Sequence, residues 1–428
     1  MLDVKQWSIE WGGRTLTIET GRLALQAHGS CTVRYGDTMI LATVVKSKNI
    51  RAGIDYFPLM VDFEEKLYAA GKIKGSRFIK REGRPSDEAI LSGRLIDRAI
   101  RPLFDERVRN DVQVVITALS VDGENDAAIT ALIAASCAVS LSPIIWDGPI
   151  AAARVGRVNG ELVLNVKNVD ADTVSDLNMV VAGTPDKLIM VEAAAKEITE
   201  DDAYAAMEWG AKQLKPVIDL ITKMAKEMKV EKMPLADVSE TTEEKVRQAT
   251  REFVAAHVED MIFDRVKVGR KERNVMVDMI EAAAKEQLLS KGFEEDVLPA
   301  GLKNVKLYVE EQITKRILDK EQRLDGRSIT DIRPLIVDVD LLPRTHGSAM
   351  FMRGDTQVLS TVTLGAPGDV QTLDSMEEEG KKRYMHHYND APYTYGEAGP
   401  NRGPSRRAIG HGALAERALE PVLPAEEQ

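Results

Sequence analysis

The chain has 428 residues with 44% hydrophobic and 29% charged side chains, a mix that suits a globular protein with sizeable cores and two to four domains. Its net charge of −11 argues, as a total, against a nucleic-acid partner, so the local distribution of charge has to decide that question. Cys31 and Cys137 are the only cysteines and show no CxxC or Cys/His spacing, which supports neither a disulfide framework nor structural zinc. No apolar run approaches the about 18 residues of a membrane span, and the start MLDVKQWSIEWGG lacks a basic-then-apolar signal, so a cytoplasmic location is expected.

In chain order, HGSCTVRYGDTMILATV (28–44) reads as two strands around a Gly36-Asp37 turn, a hairpin signature. Between Lys66 and Arg84 seven basic residues (Lys66, Lys72, Lys74, Arg77, Lys80, Arg81 and Arg84) face one acid, Glu82. Phe78 and Ile79 lie among them, bracketed by Gly75 and Gly83. Charge for phosphates beside a ring for a base is what single-stranded RNA requires, although a solvated basic loop accounts for the same residues. PSDEAILSGRLIDRAIRPLF (85–104) reads as a helix, with Leu91, Leu95, Ile96, Ala99 and Leu103 at helical spacing and Arg94, Arg98 and Arg101 on the opposite face. LNMVVAGTPDKLIMVEA (177–193) reads as strand, turn, strand, and a helical stretch follows from Ile198. Residues 235–320 carry helical segments with few strand signals.

The chain then repeats itself. HGSAMFMRGDTQVLSTV (346–362) matches 28–44 at nine of seventeen positions, at an offset of 318 residues, and PSRRAIGHGALAERALEPVL (404–423) matches 85–104 at an offset of 319. Two matching blocks at nearly one offset mark a duplicated α+β domain. The copies differ at one telling place. The first helical turn holds Asp87-Glu88 in copy one and Arg406-Arg407 in copy two. A helix N-terminus favours acids, so two cations there break a local rule; with the exposed N–H groups they suit an anion site, although a pair of solvated arginines accounts for the same residues. His411 lies four residues after Arg407, on the same face. Walker A, GxGxxG, GxSxG and HExxH sequences are absent, and His386-His387, as neighbours on a strand, point to opposite faces.

The stretches GSRFIKREGRPSDEAIL, RLIDRAIRPLF, LPRTHGSAMFMRGDTQ, HHYNDAPYTYGE and GPSRRAIGHGALAERALEPVLP closely resemble the polynucleotide phosphorylase (polyribonucleotide nucleotidyltransferase) family, from about residue 8 to the end. The resemblance implies two ribonuclease-PH-like cores joined by a small all-helical domain, here 1–230, 231–315 and a partial second core at 316–428. It implies a homotrimeric ring threaded by RNA, RNA-degradation complexes as partners, and cleavage from the 3′ end by inorganic phosphate to nucleoside diphosphates, reversibly and with Mg²⁺. Carried over, Arg406, Arg407 and His411 are catalytic-site residues, and Arg77, Phe78, Lys80 and Arg81 belong to an RNA-gripping loop whose usual form has two adjacent phenylalanines. Arg84, Arg94, Arg98 and Arg101 extend the RNA-binding set.

Copy one reads as disarmed. Where the family's active core has a Gly/Ser-rich phosphate loop, this chain has the acidic Ser120–Asp126, and in place of Asp-x-Asp-x-Lys it has Asp176-Leu177-Asn178-Met179-Val180. The resemblance places the Ser-rich loop, the Mg²⁺-binding aspartates, the lysine and the KH and OB-fold modules beyond Gln428, so residues 1–428 alone are expected to be inactive. The rival reading is a non-catalytic RNA-binding or ring-assembly fragment. An exosome-type ring subunit is disfavoured, because its cores sit on separate chains.

Overall fold

The computed structural model describes residues 2–424 apart from 51–53, 55, 76–79, 106, 107, 234–241, 264–269, 378 and 402. The chain divides into two compact units, Met1–Leu235 with Pro367–Gln428, and Ala236–Ala366. The expected segment 316–428 is thus shared between them.

The first unit opens with five strands, β1 (Lys5–Trp11), β2 (Arg14–Thr20), β3 (Gly29–Tyr35), β4 (Thr38–Ile50) and β5 (Leu59–Glu64). Next come helix α1 (Asp87–Ile100), strand β6 (Asn110–Ser120) and helix α2 (Ala127–Leu141). The six strands form one sheet in the order β1-β2-β3-β4-β6-β5, antiparallel except for β5 beside β6. A second, antiparallel sheet, ordered β10-β9-β7-β8, comes from β7 (Ala151–Val158), β8 (Glu161–Leu164), β9 (Leu177–Gly183) and β10 (Leu188–Ala195), with the short α3 (Asn168–Thr173) between β8 and β9. Helices α4 (Glu200–Gln213) and α5 (Lys215–Glu227) complete the copy.

Helix α2 is apolar on every side and buried almost throughout, as a helix enclosed by packed elements must be; it lies against β3, β4, β7 and α5. Cys31 of β3 and Cys137 of α2, far apart in sequence, are brought into contact as free, buried thiols. At the C-terminal end of α2, Lys232 donates to the carbonyls of Val139, Ser140 and Ser142 at 3.1, 3.2 and 2.7 Å. Burial lowers its pKa to about 8.

The second unit holds α6 (Thr242–Val258), α7 (Arg270–Ser290), α8 (Pro299–Leu302) and α9 (Val305–Lys320), packed around Phe253, Val254, Ile280, Tyr308 and Val309. It also holds the repeated sheet, β11 (Leu335–Val339), β12 (Gly347–Arg353) and β13 (Thr356–Val362). The repeat keeps its register. Tyr35 pairs with Thr38 across Gly36-Asp37, and Arg353 pairs with Thr356 across Gly354-Asp355. Both turn glycines sit at positive φ, +62° and +59°, as a two-residue hairpin turn demands. Leu16 pairs with Tyr35 as Leu335 pairs with Arg353. Even a local hydrogen bond recurs: His28 Nδ1 accepts the Lys46 N–H at 3.1 Å, and His346 Nδ1 accepts that of Leu364 at 2.8 Å.

The chain returns to the first unit with the hairpin β14 (Gln371–Asp374) and β15 (Glu379–Lys382), then helix α10 (Arg406–Leu419), which packs on α1, its counterpart in the repeat. Among the described residues no helix is long and apolar enough to cross a membrane.

Candidate active site at the start of helix α10

Helices α1 and α10 begin alike. Ser86 and Ser405 stand at the N-cap in extended backbone, and each hydroxyl accepts an N–H three residues on, from Ala89 and Ala408, at 3.0 Å. The first two helical residues separate them. Asp87 and Glu88 in α1 complement the helix dipole, whereas Arg406 and Arg407 in α10 oppose it.

The two arginines have different surroundings. Arg406 donates through Nη1 to the Val61 carbonyl at 2.9 Å and pairs through Nη2 with Asp62, so the β5 edge of copy one holds it and compensates its charge. Arg407 lies over the Tyr395 ring, 5.7 Å from its centre, within cation–π range. The Tyr395 hydroxyl donates to Asp390 at 2.8 Å, which fixes the ring and raises the Tyr395 pKa.

One turn further, His411 meets Tyr388 edge-on at 5.1 Å between ring centres. Burial lowers its pKa, and the nearby positive charges of Arg407 and Arg94 lower it further, which favours the neutral imidazole, a proton acceptor. Glycines on either side of His411 make room for this arrangement. A β-carbon at residue 410 would lie 2.4 Å from Arg94 Nε, and one at residue 412 would lie 2.8 Å from the His386 carbonyl oxygen. Two glycines inside a helix cost about 1 kcal/mol each, so their presence was a signal in the sequence that this helix makes a close approach.

The structure regroups the arginines expected to bind RNA. Arg94 joins Arg407 and His411. Arg98 instead donates to Glu192 of β10 at 2.6 Å, and Arg101 grips Asp97 through Nε and Nη2 at 3.1 and 2.6 Å and the Leu59 carbonyl at 3.0 Å. Arg98 and Arg101 thus each have an acidic partner within the chain, while their side chains stay 41% and 42% exposed. Glu192 also receives Arg417 of α10 at 2.6 Å. Arg98 and Arg417 occupy the same position in the two copies. Lys80, Arg81 and Arg84 are exposed, with the Lys80 ammonium 3.3 Å from the Lys74 carbonyl; Arg77 and Phe78 lie outside the described residues.

The corresponding segments of copy one carry different side chains, Asp122 and Asp176 among them. Asp122 organises its loop by accepting from Asn125 N and Nδ2, Glu124 N, Asp37 N and Thr38 Oγ1 at 2.6–3.0 Å. Burial works to raise its pKa, and the hydrogen bonds outweigh burial and hold it down. Asp176 is clamped by Arg157 at 2.7–3.1 Å, and the next two alternate positions, where the resemblance implies an acid and a lysine, are Asn178 and Val180. A carboxylate already neutralised by a guanidinium, beside an amide and a valine, does not fit Mg²⁺.

The first domain of the 3′ exoribonuclease family matches residues 12–144 and again 331–428, and the family's second domain matches 148–213. The chain belongs to the 3′ exoribonuclease family, with two ribonuclease-PH-like parts in an α+β architecture. Within it, the chain is similar to proteins named polyribonucleotide nucleotidyltransferase. It is 48% identical to that of Heliobacterium modesticaldum over 99% of this chain and 58% of that protein. It is 46% identical to that of Desulforamulus reducens over 98% of this chain and 57% of that protein. For Bacillus subtilis the values are 44%, 98% and 59%. The chain thus spans under two thirds of the length of these relatives.

Proposed function

We propose that the chain is part of a phosphate-dependent 3′-to-5′ exoribonuclease, which degrades single-stranded RNA to nucleoside diphosphates and polymerises them in reverse. The observation that carries this reading is the convergence of Arg407, His411 and Arg94 on a helix start whose N–H groups already favour an anion. Inorganic phosphate binds there against Arg407 and the first turn of α10. Arg406, held by Asp62 and the Val61 carbonyl, fixes the start of α10 against the β5 edge. Neutral His411 takes or returns a proton on the phosphate. Lys80, Arg81 and Arg84, with Arg77 and Phe78, hold the RNA backbone leading to the site. Mg²⁺ stabilises charge on the transferred group when bound. Copy one does not fit it, and its ligands are expected outside residues 1–428. A homotrimer in the cytoplasm, working with RNA-degradation partners, completes the proposal.

The test is phosphorolysis of poly(A) with phosphate and Mg²⁺. The full-length parent should release nucleoside diphosphates, residues 1–428 alone should not, and Arg407→Ala in the parent should lower the rate by about 10²–10³. A parent that binds RNA but yields no diphosphates would sink this reading in favour of the RNA-binding or assembly alternative. That alternative draws its support from Arg406, whose charge Asp62 already compensates.

A further inference from the structure

The hairpin β14–β15 belongs to the second copy but is seated in the first. Met376 at its turn is 3% exposed and joins the copy-one core. Beside it, the Glu377 carboxylate accepts the N–H of Ala127, the first residue of α2, at 3.2 Å. Asp126 takes the next two N–H groups, of Ala128 and Ile129, at 2.7 and 3.2 Å and pairs with Arg154. The start of α2 is therefore filled by carboxylates of the chain itself. From the other side, Lys72 donates to the Ser375 carbonyl at 3.2 Å and pairs with Glu379 at 3.1 Å.

The far end of the hairpin reaches α10. Lys382 pairs with Glu416 at 2.5 Å, and Glu416 also accepts the His386 N–H at 2.9 Å. Gly412 lets the backbone of 386–388 lie directly on the helix, which brings Tyr388 to His411. One continuous run of contacts thus joins the α2 start and Lys72 to the helix that carries Arg407 and His411.

We propose that the segment 371–386 is a strap that positions α10 on copy one, with Glu377 and Lys72 as its anchoring residues. Its bearing on phosphate rests on the reading of α10 as the phosphate site. Glu377 is an exposed residue, yet the protein around its carboxylate, then the negative charges of Asp126 and Glu65, press its pKa upward against the pull of the Ala127 N–H and Arg154. An uncharged acceptor at this place serves as well as a carboxylate. The anchor is the hydrogen bond, and Glu377→Gln preserves it.

The experiment is amide hydrogen exchange on the 428-residue chain, with and without inorganic phosphate, for wild type, Glu377→Ala, Glu377→Gln and Lys72→Met. Glu377→Ala should speed exchange in 379–386 and in the first turns of α10 without moving the melting temperature of the copy-one core, and Glu377→Gln should restore wild-type protection. Phosphate protection of α10 should weaken about three- to tenfold in Glu377→Ala, a typical size for coupling through a packed element. Should Glu377→Ala fail to fold, Lys72→Met, which loosens the strap from the surface, carries the same expectation. Unchanged α10 protection in a folded Glu377→Ala or Lys72→Met chain overturns the strap. If the wild-type chain shows no response of α10 to phosphate, unchanged exchange in 379–386 and α10 of folded Glu377→Ala still overturns the strap, and faster exchange supports it, while the phosphate reading is decided by phosphorolysis with the full-length parent.

Discussion

The sheet β2–β3–β4 and the sheet β11–β12–β13 share their pairing, their turn and a histidine-to-backbone hydrogen bond, yet one is core and the other is surface. Leu16, Ile40 and Val44 are 0% exposed, whereas Leu335, Val358 and Val362 at the same positions are 53%, 45% and 53% exposed. Copy one lays α2 over its strands and extends the sheet with β6 and β5; among the described residues, β11–β13 stand as a three-stranded sheet. Pairing and turn geometry are local properties, set by a few residues of alternating character and a glycine that tolerates positive φ. Burial is a property of what covers the strands, and it supplies most of the stability.

If burial rather than pairing sets stability, the largest difference between the copies lies in opening. Amides of β2–β4 should exchange about a thousandfold more slowly than those of β11–β13, since the first open with the core and the second locally. Equal protection would mean that the second sheet is covered in solution. A smaller effect comes from side-chain truncation. Leu16→Ala should cost about 2–5 kcal/mol in a denaturant melt, and Leu335→Ala less than about 0.5 kcal/mol. A large loss at Leu335 would break the comparison at its centre. The smallest difference concerns the turns. Gly36→Ala and Gly354→Ala should each cost about 1–2 kcal/mol for the left-handed backbone. Gly36→Ala should cost more, because its β-carbon would lie 2.4 Å from Asn125 Nδ2, while at Gly354 it meets only the flexible Arg333 side chain. Identical costs would show that Asn125 gives way.

These contrasts also explain which parts of the molecule were legible in the sequence. The repeat, both hairpins and the opposed charges at the two helix starts are written in short stretches, and short stretches decide them. The partner of Arg98 and the backbone contact of Arg101 were not legible, because Glu192 and the Leu59 carbonyl are 94 and 42 residues away. The same holds for Arg406, whose partner Asp62 is 344 residues distant, and for Glu377, 250 residues from Ala127. Arg94 and Arg98 are one helical turn apart, yet one faces His411 and the other a carboxylate in another sheet. Periodicity gives the face of a helix, and only the packed neighbours say what that face meets.

Glu192 takes Arg98 from one repeat and Arg417 from the other. Duplicated halves are ordinarily free to drift apart, each change tested only against its own surroundings. Here one carboxylate answers to both, so removing it leaves two guanidiniums uncompensated at once, and reversing the charge at either arginine is registered by the opposite half. The ancestry of the duplication is kept at this point as a mechanical dependence: neither half can revise its side of the joint alone.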